Sequence, residues 1–433
     1  MVRAVVPDPD IPAAPVDGGG PAAGAPPSAS ARRRFAGTSA RAALAAGASL
    51  LVGCEPPAKT PVPAEQWLIK PTDPPFDIPA DFLGLHSDHG LGGPTPAPDY
   101  PYDAIRSHDV GDAEGFPATQ WSRIERAPGK YDWRGVERWI AAHPGKTRIW
   151  VLFGCPVFHQ KYPDEPWPYP YLPGGGSPPK DPAVAAAFIK ALLARFPGTI
   201  HFVELWNEPN MNYTGTDPLV DRWLPTAPKP PFFSGTAADL AAMGRAVRRV
   251  LPPGVRLMGC AWEGQSQMRS LKNSMLRFSA APDGAGGRGM DHLQALSVHS
   301  YTYANDPNKL IGELADYEAR FEKAGYPSTM PRYLTECGVE SPGHWTEDSP
   351  SIERKALTIR RWCMITAAMR YSGIYLYKHS LVKTLGDPAA NPALGKAIGE
   401  MRNGLRSRRL RAAALLKDES MWLSFEDGGV LRA

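Results

Sequence analysis

Short apolar runs, each closed by a polar or glycine tip, alternate with longer stretches whose apolar positions recur at helical spacing. The runs predict eight strands: Phe82–His86, Asp103–Val110, Arg148–Gly154, Thr199–Trp206, Val255–Ala261, Leu293–Ser300, Arg332–Thr335 and Gly373–Tyr377. Helical spacing predicts helices over Trp133–Ala142, Pro182–Phe196, Ala237–Leu251, Leu310–Ala324 and Ile352–Tyr371. Strands alternating with helices imply parallel βαβ units. Eight units over about 330 residues suit an α/β chain folded as a closed (β/α)8 TIM barrel. The rival, an open doubly wound sheet, would carry a glycine-rich phosphate turn after its first strand. His86-Ser87-Asp88-His89 stands there instead.

Two predicted loops are long: 156–180 after strand three, with Trp167, Tyr169 and Tyr171, and 209–235 after strand four, with Tyr213 and Trp223. Loops of that length at the carboxyl end of a barrel usually carry function. Their stiff aromatics suit stacking on sugar rings, and they suit packing the loops down equally well.

Strand four ends in Trp206-Asn207-Glu208-Pro209-Asn210. Pro209 has no N–H for a sheet ladder and stops the strand, which leaves Glu208 at a carboxyl tip. Strand seven ends in Thr335-Glu336-Cys337-Gly338 in the same manner. In an eight-strand barrel the tips of strands four and seven face each other across the mouth. Two facing carboxylates can cleave a glycosidic bond with retention, one protonating the leaving oxygen and the other attacking the anomeric carbon. Glu204 lies deeper on strand four, on the face of Glu208 by the period of two, and suits a buried ion pair. Glu340 reads as a loop residue.

The chain has 433 residues, 43% hydrophobic and 21% charged, enough for a sizeable core. The net charge of +4 offers no electrostatic footprint for nucleic acid. No uninterrupted apolar stretch is long enough to span a membrane. Residues 1–54 read as an export leader: a Pro- and Ala-rich start, Arg32-Arg33-Arg34-Phe35, then an apolar run to Val52. Arg32-Arg33 with Phe35 resembles the twin-arginine motif. Leu51-Val52-Gly53-Cys54 resembles a bacterial lipobox, which implies lipid on Cys54 and an exported, periplasmic protein anchored to the cell envelope. Residues 55–75 read as a Pro-rich tether, 76–402 as the barrel, and 403–433 as a C-terminal helix and short β extension. Within that last part Arg402–Lys417 reads as a basic helix and Met421–Ala433 as a strand, a turn and the start of another strand. A lone hairpin is marginal, so it either pairs with something on the barrel or is the stump of a β-domain. Cys155, Cys260, Cys337 and Cys363 read as buried thiols.

The strand-four and strand-seven tips together resemble clan A of the glycoside hydrolases. Within the clan the chain is most similar to glycoside hydrolase family 39, the family of β-xylosidases, α-L-iduronidases and some exopolysaccharide-cleaving enzymes. Trp121-Ser122-Arg123-Ile124-Glu125 followed by Gly129-Lys130-Tyr131-Asp132-Trp133 looks like that family's segment after strand two. The likeness covers roughly residues 80–400. It implies that Glu208 is the acid/base, Glu336 the nucleophile and Asn207 a partner of the sugar 2-hydroxyl. It further implies that His299 orients the nucleophile, that Tyr301 lines the sugar subsite, and that Arg106 hydrogen-bonds the nucleophile. His86 is expected to touch sugar hydroxyls, and Trp167 and Tyr377 to line the substrate. Relatives often carry a Trp platform on strand eight; Tyr375, Tyr377, Lys378 and His379 stand here instead. His86 and His89 are too sparse a pair for a metal site, and neither metal nor cofactor is expected. The partner implied is a carbohydrate. A barrel that binds carbohydrate without turnover, and a transglycosylase using the same residues, stay open as alternatives.

Overall fold

The computed structural model describes residues 64–86, 101–108, 119–164, 176–210, 232–263, 274–301, 306–338, 351–377 and 392–433. Eight strands form a closed barrel: Leu83–His86, Ala104–Arg106, Thr147–Leu152, Phe202–Leu205, Arg256–Glu263, Ala295–Ser300, Arg332–Cys337 and Gly373–Tyr377. They are strands one to eight below. Every neighbouring pair is parallel, and strand eight closes against strand one. Helices Arg134–Ala142, Pro182–Arg195, Ala237–Val250, Lys309–Ala324 and Ile352–Ala368 follow strands two, three, four, six and seven. This is the (β/α)8 TIM barrel expected. Local chemistry sets the helix ends. Asp181 accepts from the Ala183 N–H ahead of Pro182, Thr236 and Asp239 form a reciprocal capping box, and Gly325 closes its helix in the left-handed conformation.

Strand eight alone keeps its expected bounds; the other seven differ in extent, three of them where it bears on the site. Strand two is only Ala104–Arg106, not Asp103–Val110. Strand seven runs on to Cys337, so Glu336 sits inside it. Strand five runs on to Glu263, two residues past its expected end.

The barrel interior follows the period of two. Ala104, Ile149, Phe202, Met258, Ala295, Tyr333 and Tyr375 form one buried apolar plug, a residue from each of strands two to eight. On strand one the place falls to Gly84, where a Cβ would sit 2.4 Å from the Tyr375 ring. Two residues further along strands one, two, four, seven and eight stand His86, Arg106, Glu204, Thr335 and Tyr377, all buried. An apolar floor therefore underlies a polar layer that opens towards the carboxyl ends.

The two ends of the described chain meet in a second sheet. Ala64–Ile69 pairs antiparallel with Arg409–Leu416, which pairs with Met421–Phe425, and that with Val430–Arg432; Phe76–Asp77 joins at Arg409 and Leu410. The expected tether is thus partly strand, and the Met421–Ala433 hairpin has a partner. Arg402–Lys417 is not the expected helix. The helix is Pro392–Leu405, Ser407 turns left-handed (φ 55°), and the strand follows. Leu410, Ala412, Ala413, Ala414 and Leu416 are buried while Arg409 and Arg411 are exposed, and pairing along both edges outweighs the helix propensity of Ala, Leu and Arg. The sheet packs on helix Ile352–Ala368.

Candidate active site

The strand-four tip reverses its own alternation. Glu204 points inward, and both Leu205 and Trp206 lie in the outer core between strands and helices. Trp206 has φ 73°, an uncommon conformation for so bulky a residue. Its ring sits edge-on to Phe153 and Phe233, and its Nε1–H donates to the Phe232 carbonyl at 2.9 Å. The turn brings Asn207 back inside, and Glu208 follows with φ 46°. Two such backbones cost of the order of 1–3 kcal/mol each and persist because the surroundings hold them. Part of that hold is Asn210. Its Nδ2 donates to the Glu263 carbonyl at 2.7 Å and its Oδ1 accepts the Glu263 N–H at 3.1 Å, joining the tips of strands four and five.

Strand seven reaches the same end by a bulge. Val298 pairs with Leu334 but His299 with Glu336, so Thr335 is an extra residue; the register against strand eight slips at the same place. Thr335 and Glu336 both face inward, while Leu334 and Cys337 belong to the outer core. Strand five carries a third break. Leu296 pairs with Gly259 and Val298 with Trp262, across an Ala261 with φ 51°. The Ala261 N–H donates to Ser297 Oγ at 2.8 Å.

Arg106 is the hub. It is fully buried, and Nε donates to Glu204 Oε2 at 2.7 Å, Nη1 to Glu336 Oε2 at 2.9 Å and Nη2 to Asn207 Oδ1 at 2.6 Å. Burial pulls its pKa down, but the charges of Glu204 and Glu336 and the Glu204 hydrogen bond outweigh that and hold it above the ordinary value. Paired with Arg106, Glu204 is the buried ion-pair partner expected, and it also accepts from Thr335 Oγ1 at 2.9 Å. His86 Nδ1 lies 2.9 Å from Glu336 Oε2, and Tyr301 Oη donates to Glu336 Oε1. His299 Nδ1 lies 2.7 Å from Glu208 Oε1 and 3.6 Å from Glu336 Oε2. One imidazole nitrogen therefore reaches both carboxylates.

Glu208, Glu336, Asn207, His299, Tyr301, Arg106, His86 and Tyr377 therefore converge at one mouth. Three take places other than expected. His299 bonds Glu208 more closely than Glu336, His86 turns both ring nitrogens to the protein, and the Tyr377 ring lies on the His86 ring, centroids 4.5 Å apart at 31°. Trp167 and Cys54 lie outside the described residues, as do Tyr169, Tyr171, Tyr213, Trp223, His89, Lys378, His379 and Glu340.

No family model matches the chain, and no curated protein matches it in sequence. Solved structures do resemble it. A glucosidase from Croceicoccus marinus is similar over 82% of this chain and 77% of its own, at 14% identity and a TM-score of 0.51. A family 39 glycoside hydrolase from the gut symbiont Bacteroides cellulosilyticus WH2 overlaps 82% of this chain and 69% of its own, at 16% identity and 0.48. Xylanase 10B from Thermotoga maritima overlaps 75% and 95%, at 13% and 0.47. At these identities the likeness is one of fold alone. Chemistry is decided by the side chains.

Those include a carboxylate that sequence reasoning missed. Glu263 is buried, and its side chain lies with those of Glu208 and His299, the donor atoms all within 4.8 Å of one another. The available signal was an acidic residue just past an apolar run, as at strands four and seven. His86, His108 and Glu336 form a similar trio. A cation there would meet the guanidinium already bonded to Glu336. Among the described residues no disulfide forms, and Cys155, Cys260, Cys337 and Cys363 are buried thiols. Burial first, then Cys363 and Glu336, push the Cys337 thiol well above its ordinary range, so it is no thiolate nucleophile.

Proposed function

We propose that this chain is a retaining glycoside hydrolase. The observation that carries the reading is the pair of buried carboxylates on facing strand tips, Glu208 and Glu336, sharing His299 Nδ1 at 2.7 and 3.6 Å. Two carboxylates that a single imidazole nitrogen can reach favour direct attack over the water-mediated route of an inverting enzyme. The surroundings differ as the two roles require. Donors from Arg106 and Tyr301 favour the ionised form of Glu336, the nucleophile. Glu208 stands beside Glu263, and two adjacent buried carboxylates do not both ionise readily, which suits an acid that must carry a proton.

In the first step Glu336 attacks the anomeric carbon, the glycosidic C–O bond breaks, and Glu208 gives its proton to the leaving oxygen. In the second, Glu208 takes a proton from water as that water displaces Glu336. Asn207 Oδ1 is bonded to Arg106, so its Nδ2 is the part aimed at a sugar hydroxyl. The substrate is a saccharide or a cell-surface polysaccharide, with chemistry of the family 39 type. Export and a lipid anchor at Cys54 belong to the same reading. The test is hydrolysis of aryl glycosides and polysaccharides. Glu208→Ala and Glu336→Ala each abolish it, and azide restores turnover to Glu336→Ala as a glycosyl azide. Wild-type rates in either variant would overturn the assignment.

A further inference from the structure

His86 was expected to meet sugar hydroxyls, yet both its ring nitrogens are engaged by the protein. Nε2 lies 3.1 Å from the His108 carbonyl oxygen, and a carbonyl can only accept, so Nε2 carries a hydrogen. Nδ1 lies 2.9 Å from Glu336 Oε2. A bare nitrogen there would set its lone pair against those of a carboxylate. Arg106 Nη1 has two hydrogens and also reaches Nδ1, but at 3.4 Å against 2.9 Å to Glu336 Oε2, so a donation to Nδ1 would still leave the shorter Nδ1–Oε2 contact as lone pair against lone pair. A proton placed on Glu336 instead would face that guanidinium.

We propose that His86 is a resident imidazolium, a charged positioning residue that holds Glu336 through Nδ1–H and is held through Nε2–H by the His108 carbonyl. The Tyr377 face, 4.5 Å from the His86 ring, suits a cation. Among the described residues, the titratable and charged groups that face His86 are Glu336 from strand seven, Arg106 and His108 from strand two and its continuation, and Tyr377 from strand eight. Tyr301 from strand six holds the other Glu336 oxygen.

The kinetic consequence rests on the glycosidase reading. Glu336 loses its charge when its bond to the anomeric carbon forms. It regains the electron pair when water displaces it, and a fixed cation eases that return.

Two measurements test this. In the full chain carrying ¹⁵N-histidine, long-range proton–nitrogen spectra near neutral pH show two protonated ring nitrogens for His86. The signal is identified by its loss in His86→Gln or, should that variant not fold, by its contact with the Tyr377 ring. One unprotonated nitrogen overturns the proposal. The second uses an aryl glycoside whose leaving group departs without a proton, so Glu208 protonation drops out of the first step. Wild-type kcat then falls on the alkaline side as His86 loses its charge. In His86→Gln that fall is absent, kcat is lower by roughly ten- to a hundredfold, the scale of one hydrogen bond to a charged group, and KM is little changed. An unaltered alkaline limb, or a raised KM with kcat intact, overturns the proposal. Should no glycoside be turned over, the functional reading fails, and the nitrogen spectra still decide the state of His86.

Discussion

Strand six and strand seven lie side by side and deliver their side chains in opposite ways. Strand six keeps the period of two throughout: Ala295 in the floor, Ser297 towards strand five, His299 between the two carboxylates, Tyr301 on Glu336. Strand seven breaks it at Thr335 to turn Glu336 inward. The division extends round the barrel. Strands one, two and eight bring His86, Arg106 and Tyr377 by plain alternation. Strands four and five break, as strand seven does, and their breaks bring Glu208 and Glu263. The bases and rings at the mouth thus come from regular strands, and the three mouth carboxylates from irregular ones. A regular strand places one inward residue per layer; a broken one places two in succession. That is how Glu204 and Thr335 can bind the Arg106 layer while Asn207, Glu208 and Glu336 stand directly above it.

The largest test of this division is to delete Thr335. Plain alternation would then put Glu336 in the inward place Thr335 now holds, one layer down beside Glu204, and hydrolysis should fall at least about 10⁴-fold, the scale of losing a nucleophile; retained activity would show that the bulge does not set the height of Glu336. Next comes the hub on a regular strand. Arg106→Met leaves Glu204 buried without its cation, and denaturant unfolding should show a loss of about 3–5 kcal/mol. A stability within error of wild type would mean that the polar layer does not depend on that pair. The smallest effect sharpens the contrast between strands. Asn210→Ala removes the brace between the strand-four and strand-five tips and should cost about 1–3 kcal/mol, with a fall in kcat larger than any change in KM. An unchanged kcat would mean that the left-handed residues hold the tip by themselves.

Much of the barrel was legible because its signals are local. Apolar runs ending in His86, Glu208, Glu336 or Tyr377 mark strand tips, and helical spacing marks what lies between. The convergence of Arg106, His299 and Tyr301 on the two carboxylates was legible only through the likeness to clan A. Glu263 was not seen because strand five was read to stop at Ala261. The left-handed turn that carries the strand past that residue leaves no trace in an apolar pattern. The second sheet was missed for a related reason. Arg409–Leu416 is rich in good helix formers, and only its pairing with Ala64–Ile69 and Met421–Phe425 makes it a strand. Long-range pairing of this kind is invisible to any window of a dozen residues.

That second sheet also sets an order of events during synthesis. Ala64–Ile69 leaves the ribosome hundreds of residues before Arg409–Leu416, the strand it must pair with. Until then an apolar edge bearing Trp67, Leu68 and Ile69 waits without its partner, as long-range pairing imposes on any nascent chain. The first strand of the described chain is therefore among the last to settle, and a ribosome stalled within the barrel would release a chain whose beginning is still unpaired.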